Sequence, residues 1–298
     1  MKKLIMCLLG LSLASCQQSA PLMQREAKVP AVKPEVVESK AQARQELPVL
    51  FAASDTLTQP MREFLAQHDL SALWANEQDS AYPDPSFEGF FGPDYYRFGM
   101  VFNKVRRDLT NPALYHVQGK SCYFKSKNVR PFSGKLTVRR LVDLHYPGFL
   151  KQRAEQFSSA ADSLAGHTYT AYGQLQLQEE SQENSGRIEG EVVLDFFIVP
   201  GQAPAYVYVF DHDGRDDKLP TRGARLLLRG NRLNLTTGQV KSFLVAPDVS
   251  AIAPDLFKDF MLDERMGQIN PKYAKLGWNE YWKNDEWWAE SPKPFRAL

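Results

Sequence analysis

The stretches HTYTAYGQLQLQEE (167–180) and RIEGEVVLDFFIV (187–199) alternate apolar and polar residues with a period of two. In the first, Leu175 and Leu177 stand between Gln174, Gln176 and Gln178. In the second, Ile188, Val192, Leu194, Phe196 and Ile198 line one side. A strand turns successive side chains to opposite faces, so this spacing puts the apolar set on one face and the polar set on the other. The polar segment ESQENSG (180–186) joins the two stretches as the loop of a hairpin. One dry face and one wet face are the mark of an antiparallel sheet with a single covered side.

The same reading extends outward. DYYRFGMVFNKV (94–105) sets Tyr96, Phe98, Met100 and Phe102 against Arg97, Gly99 and Asn103. ALYHVQGKSCYF (113–124) follows the turn signal TNP, and PFSGKLTVRRLVDL (131–144) places Leu136, Val138, Val142 and Leu144 on one face. PAYVYVF (204–210) is apolar on both faces, and ARLLLRGNRLNL (224–235) carries a hairpin signal at Arg229-Gly230-Asn231. YPDPSFEGFFGPD (82–94), punctuated by Pro and Gly, reads as a loop. Residues 58–76 read as a helix, with Met61, Phe64, Leu65, Leu73 and Trp74 at helical spacing, and 147–166 as a second helical connection. The expectation is a mainly β body: about eight strands in an antiparallel up-and-down meander, closed as a barrel or folded as a sandwich, with short flanking helices.

The chain begins MKKLIMCLLGLSLASC, with Lys2 and Lys3 before a short apolar run and small residues before Cys16. Charge, apolar run and small-residue cleavage site make a secretory signal peptide over 1–15. The run is too short to span a bilayer, which takes about 20 apolar residues. LASC resembles the lipobox of bacterial lipoproteins, in which the signal is cut before the cysteine and the thiol carries a diacylglycerol. That resemblance implies lipidation at Cys16 and attachment to a bilayer through it. With Gln17 rather than aspartate next, and no acidic cluster in QQSAP, it further implies the outer membrane and its periplasmic face.

Residues 16–48 hold Pro21, Pro30, Pro34 and Pro48 among Lys, Glu, Gln and Ala, with no aromatic residue. Such a composition cannot bury enough apolar surface to order itself and reads as a tether, averaging roughly 30 Å end to end. Residues 49–298 then form a single β-rich domain. With Cys7 in the leader and Cys16 acylated, only Cys122 remains, so the body has no internal disulfide. The leader takes two of the 36 basic residues and none of the 35 acidic ones, leaving 34 against 35. That balance excludes an electrostatic nucleic-acid binder.

Residues 115–138, YHVQGKSCYFKSKNVRPFSGKLTV, combine a YHVxGK strand, a basic turn and a PFxG strand. This part of the body, with the 173–196 hairpin, resembles uncharacterised bacterial envelope lipoproteins with a β-rich domain. The resemblance implies no reaction and lends no catalytic residue.

Three features carry candidate chemistry. DHDGRDD (211–217) offers Asp211, Asp213, Asp216 and Asp217 as hard oxygen ligands, and resembles the DxDGxxD part of calcium loops through Asp211, Asp213, Gly214 and Asp217. It departs from the EF-hand pattern at Arg215 and Arg222; the alternative is a solvated turn whose Asp side chains bond nearby amides. Asp143 and His145 share a strand face as an acid–base or surface pair. There is no HExxH, no GxSxG and no phosphate-cradling glycine loop, so no catalytic residue is assigned.

Finally, WNEYWKNDEWW (278–288) gathers four of the chain's five tryptophans. As a helix it would put Trp278, Tyr281, Trp282 and Trp288 on one stripe, with Trp287 opposite and exposed. The stripe reads either as a plug that closes an end or side of the sheet together with 255–267, or as an aromatic ligand surface of Trp282, Trp287 and Trp288. The functional expectation is a non-catalytic envelope domain that binds a small apolar or saccharide ligand or an envelope protein. A hydrolase with carboxylates brought together by the fold, and a calcium-dependent binding module, are the alternatives.

Overall fold

The computed structural model describes residues 56–77, 84–146, 149, 167–181, 183–207, 218–252, 259–260, 268–281 and 286–289. Among the described residues nine strands form one sheet: β1 (Phe87–Phe91), β2 (Tyr96–Arg107), β3 (Leu114–Tyr123), β4 (Asn128–Asp143), β5 (Thr168–Glu179), β6 (Gly186–Phe197), β7 (Ala205–Tyr206), β8 (Leu226–Asn234) and β9 (Val240–Ala246). Every pairing is antiparallel. The eight longer strands pair with their sequence neighbours, and β9 returns to pair β1, so the sheet closes in a ring. The two-residue β7 lies beside β6 beyond the point where β8 stops. The meander expected from the alternating pattern is therefore the fold observed, and its closure leaves the eight ring strands no free edge.

Period two sorts the side chains as the sequence implies. Met100, Tyr115, Val117, Leu136, Leu175, Leu177, Ile188, Val192, Leu194, Leu228 and Val245 all point into the ring and are buried there. On β4 the expected face slips: register shifts between Val138 and Arg140, so Leu141 rather than Val142 continues the inner row. A bulge inserts one unpaired residue and inverts the alternation beyond it.

Two segments are strands where the sequence reads otherwise. FEGFF is β1, not a loop, and seats Phe87 and Phe91 inside the ring. Arg229-Gly230-Asn231 is the middle of β8, and the chain turns instead at 235–239. Both misreadings turn on a glycine. A Cβ at Gly230 would stand 2.2 Å from the Glu189 carbonyl oxygen, and one at Gly89 2.1 Å from that of Leu244. Strands coiled tightly enough to close a small ring bring a neighbouring backbone into the space a side chain would take. These glycines mark close approach, not a turn.

The two ends of the ring differ. One, the turn end, carries the tight turns 92–95, 124–127, 180–185 and 235–239. The other, the helix end, is filled by α1 (Gln59–Gln67) and α2 (Ser71–Trp74). The single helix expected over 58–76 is broken at His68, which is extended, and Asp69 restarts it by accepting the Ser71 N–H and O–H at 2.9 and 2.7 Å. The break turns Leu70, Leu73 and Trp74, each at most 1% exposed, into the ring with Leu65. Trp74 meets Tyr115 edge-on at 6.1 Å, Phe64 packs on Tyr169 at 4.7 Å, and Tyr206 Oη donates to the Leu73 carbonyl. The plug of this ring is thus N-terminal.

The outer face of β1, β9, β8 and β6 carries a second apolar layer. Phe90, Val193, Leu227 and Ala246 point outward into a cluster with α3 (Val249–Ile252), Phe260 and the turn formed by α4 (Pro271–Tyr273) and Ala274–Trp278. Trp278 is fully buried there, its ring 5.5 Å from Phe90 and its Nε1 donating to the Tyr95 carbonyl at 2.9 Å. A third cluster gathers Leu144, Phe149, Phe197, Val207 and Leu219.

Candidate functional site

The inner rows are apolar through the middle of the ring and polar at the turn end. On β5 the row Leu175, Leu177 ends in Glu179; on β8 the row Leu226, Leu228, Gly230 ends in Arg232. On β3 Tyr115 and Val117 lead through Gly119 to Ser121 and Tyr123, and on β4 Arg130 precedes Phe132. The strand period that lines the core with Leu and Val therefore delivers a carboxylate, two guanidiniums and two hydroxyls to one end.

Glu179 is 1% exposed and is the hub. Arg232 Nη2 donates to Oε2 at 2.7 Å and Nε reaches both oxygens at 3.3 Å. Tyr123 Oη donates to Oε1 at 2.7 Å and Ser121 Oγ at 3.1 Å. The two guanidiniums also tie down the β5–β6 turn, Arg130 Nη2 to the Glu183 carbonyl at 3.0 Å and Arg232 Nη2 to that of Asn184 at 2.5 Å. Room for Arg232 comes from Gly186, where a Cβ would meet Nε at 2.5 Å. Burial and the adjacent carboxylate push the Tyr123 phenol well above its ordinary pKa, so it stays a donor. Burial opposes the Arg232 charge, but its hydrogen bond to Glu179 prevails and holds its pKa above the ordinary value.

A second buried carboxylate, Asp195, lies near the helix end on the outer face of β6. It accepts from Thr170 Oγ1 and Thr221 Oγ1 at 2.6 Å each and from the Thr221 N–H at 3.1 Å. These bonds moor the 218–225 segment to β5 and β6. Burial raises the Asp195 carboxyl to about 6, against the pull of its three hydrogen bonds.

The candidates raised by the sequence fall as follows. Trp287 and Trp288 are partly exposed, and Trp287 stands edge-on to Phe124 at 5.9 Å, above Gly99. Lys120 Nζ donates to the Trp288 carbonyl at 2.8 Å, holding this segment to the outside of β2 and β3. Among the described residues of 278–288, 279–281 and 287–288 are turns rather than parts of the striped helix expected. Trp278 and Tyr281 pack in the outer layer, and Arg97, 3.7 Å from the Phe124 ring and 5.1 Å from the Tyr281 ring, bridges it to the Trp287–Phe124 contact. Asp143 and His145 are both exposed. Cys122 is a buried thiol. Cys16, Trp282 and the four aspartates Asp211, Asp213, Asp216 and Asp217 lie outside the described residues. Among the described residues no three His, Cys, Asp or Glu side chains converge as a metal site requires.

Comparison with protein-family models, with curated proteins and with solved structures finds no match to this chain.

Sequence reasoning missed Glu179, Arg130, Arg232 and Asp195. A signal existed for two of them: Glu179 and Arg232 stand in phase with the apolar rows 175–177 and 226–228. A charge in phase with core positions must be paired when the sheet closes.

Proposed function

We propose that this protein is a lipid-anchored envelope lipoprotein whose β domain is a non-catalytic, partner-binding module held at the periplasmic face of the outer membrane through acylated Cys16. The observation that carries the binding reading is the filled ring. Its middle is packed with Leu, Val, Phe and Met side chains, its helix end is stoppered by Leu65, Leu70, Leu73 and Trp74, and its turn end is crossed by the Glu179–Arg232 pair. A ring whose inner rows are packed in this way offers its outer surface to a binding partner, which favours an envelope protein over a small apolar ligand held inside. The outer face of β4 and β5, with Lys135 and Gln174 and bordered by Gln118 of β3 and Glu189 of β6, is exposed.

The chemistry of the two buried carboxylates supports a binding role over hydrolysis. Glu179 points into the ring and Asp195 away from it, so the sheet separates them, and each is engaged by fixed donors. A pair of hydrolytic carboxylates faces a common substrate across about 5–10 Å.

Native mass spectrometry of protein purified gently from a periplasm tests the binding reading. No apolar or saccharide adduct is expected; a phosphate-free adduct of lipid or oligosaccharide mass that is lost on denaturation would sink it. For the anchor, Cys16→Ser is expected to leave protein unprocessed or soluble, and unchanged membrane fractionation would refute lipidation.

A further inference from the structure

The turn end of the ring has more positive charge than its one buried carboxylate balances. Glu179 is committed to Arg232. Among the described residues Arg130, 8% exposed, has no carboxylate partner: its Nη2 meets a single carbonyl, and its Nη1 is buried with no hydrogen-bond partner. Lys241 stands directly across from Arg232 in the β8–β9 register and belongs to the same inner row as Phe243 and Val245. Like charges placed opposite each other repel, and the contacts of Lys241 are the rings of Phe91 and Tyr96, at 5.5 and 5.8 Å. Lys125, from the β3–β4 turn, leans over the same Tyr96 ring at 4.2 Å and donates to its hydroxyl at 3.0 Å. The acidic side chains of the adjoining turns, Asp94, Glu180 and Glu183, are exposed, and Lys127 is drawn aside to Glu280 at 3.7 Å.

A buried guanidinium nitrogen without an acceptor is costly, and a cation opposite a cation is costly again. An oxyanion at this end lowers the charge cost of both, since guanidinium and ammonium groups suit phosphate and carboxylate oxygens. The excess of cations over the single carboxylate favours a doubly charged ligand. We propose that the turn-end mouth of the ring, where Lys241 and Lys125 flank Tyr96 and Arg130 and Arg232 hold the β5–β6 turn, binds a phosphate monoester group. The site goes beyond the partner-binding reading and does not depend on it. The same chemistry could be presented by free phosphate or by a phosphomonoester lipid headgroup.

The test uses the full-length Cys16→Ser chain, so that no acyl chain contributes. Thermal unfolding is followed against inorganic phosphate, with sodium chloride at matched ionic strength as reference. A saturable rise of roughly 3–6 °C at about ten times the dissociation constant is expected. Lys241→Gln and Lys125→Gln should each weaken phosphate binding at least about tenfold, whereas Lys135→Gln on the outer face should leave it unchanged. Arg130→Gln should abolish it, and if that variant fails to fold the two lysine variants still decide. Co-sedimentation with phosphatidylcholine vesicles, with and without phosphatidic acid, separates the sources. Capture by phosphatidic acid that phosphate competes away assigns a headgroup; a phosphate response without capture assigns a free phosphate. No rise beyond the chloride reference, or an equal rise in every variant, overturns the proposal.

Discussion

The two ends of the ring are closed by opposite chemistry. At the helix end, Leu65, Leu70, Leu73 and Trp74 enter from outside the sheet and are stripped of water almost completely. At the turn end, closure comes from the strands themselves, through Glu179, Arg232, Tyr123 and Ser121. An apolar stopper is non-directional and stabilises in proportion to the area it covers. A salt-bridged one is directional: losing one partner strands the other charge, while losing both together costs little. The helix end is therefore built to hold, and the turn end is the one whose energy depends on what anions are near.

Substitutions can break this contrast. Trp74→Ala should cost about 3–5 kcal/mol in urea unfolding, by loss of burial and by the cavity left behind. Glu179→Gln should cost about 3 kcal/mol or more, because the buried Arg232 guanidinium loses its carboxylate partner. The contrast sharpens in the double variant Glu179→Met with Arg232→Met, which should recover to within about 1–2 kcal/mol of the parent, whereas no second apolar change at the helix end should rescue Trp74→Ala to that degree. Non-recovery of the double variant would mean that the hydroxyls of Tyr123 and Ser121, not the ion pair, dominate the turn end.

A smaller effect distinguishes the carboxylates by pH. Asp195 meets only neutral donors, and burial lifts it to about 6 from the usual 3.8. The folded chain then holds this proton more tightly than the unfolded chain. Its contribution to stability is full below about pH 4 and falls as pH rises toward 6, by up to about 3 kcal/mol. Unfolding free energies measured across that window should show a downward slope that Asp195→Asn removes; an unchanged slope in the variant would assign it elsewhere. Smallest of all, Lys125→Gln at the turn-end rim should change stability by less than about 0.5 kcal/mol in phosphate-free buffer, leaving its effect on anion binding to be read separately.

Much of this architecture is legible in the chain, for particular reasons. The rows Leu175–Leu177 and Ile188–Val192–Leu194 announce strands and their inner face, because a strand's period of two is a local property. β1 escapes that reading because FEGFF is brief and flanked by Pro and Gly, and β8 because Gly230 resembles a turn residue. In both, the glycine answers to a neighbouring strand remote in sequence, whose carbonyl occupies the Cβ position. The aromatic tail was legible only as apolar mass. That Trp278 belongs to an outer layer, while Trp287 lies on Phe124, rests on tertiary contacts that no local apolar run encodes.

The sequence by itself determined that the body is an antiparallel meander of about eight strands with one dry face, since alternation and short turns are encoded residue by residue. Only the tertiary structure decided that the sheet closes on itself, that the N-terminal helices stopper it, and that Glu179, Arg232, Arg130 and Lys241 meet at its other end. Those residues come from four different strands, and their meeting depends on ring closure and strand register, which arise from packing across the whole domain rather than from any local run of residues.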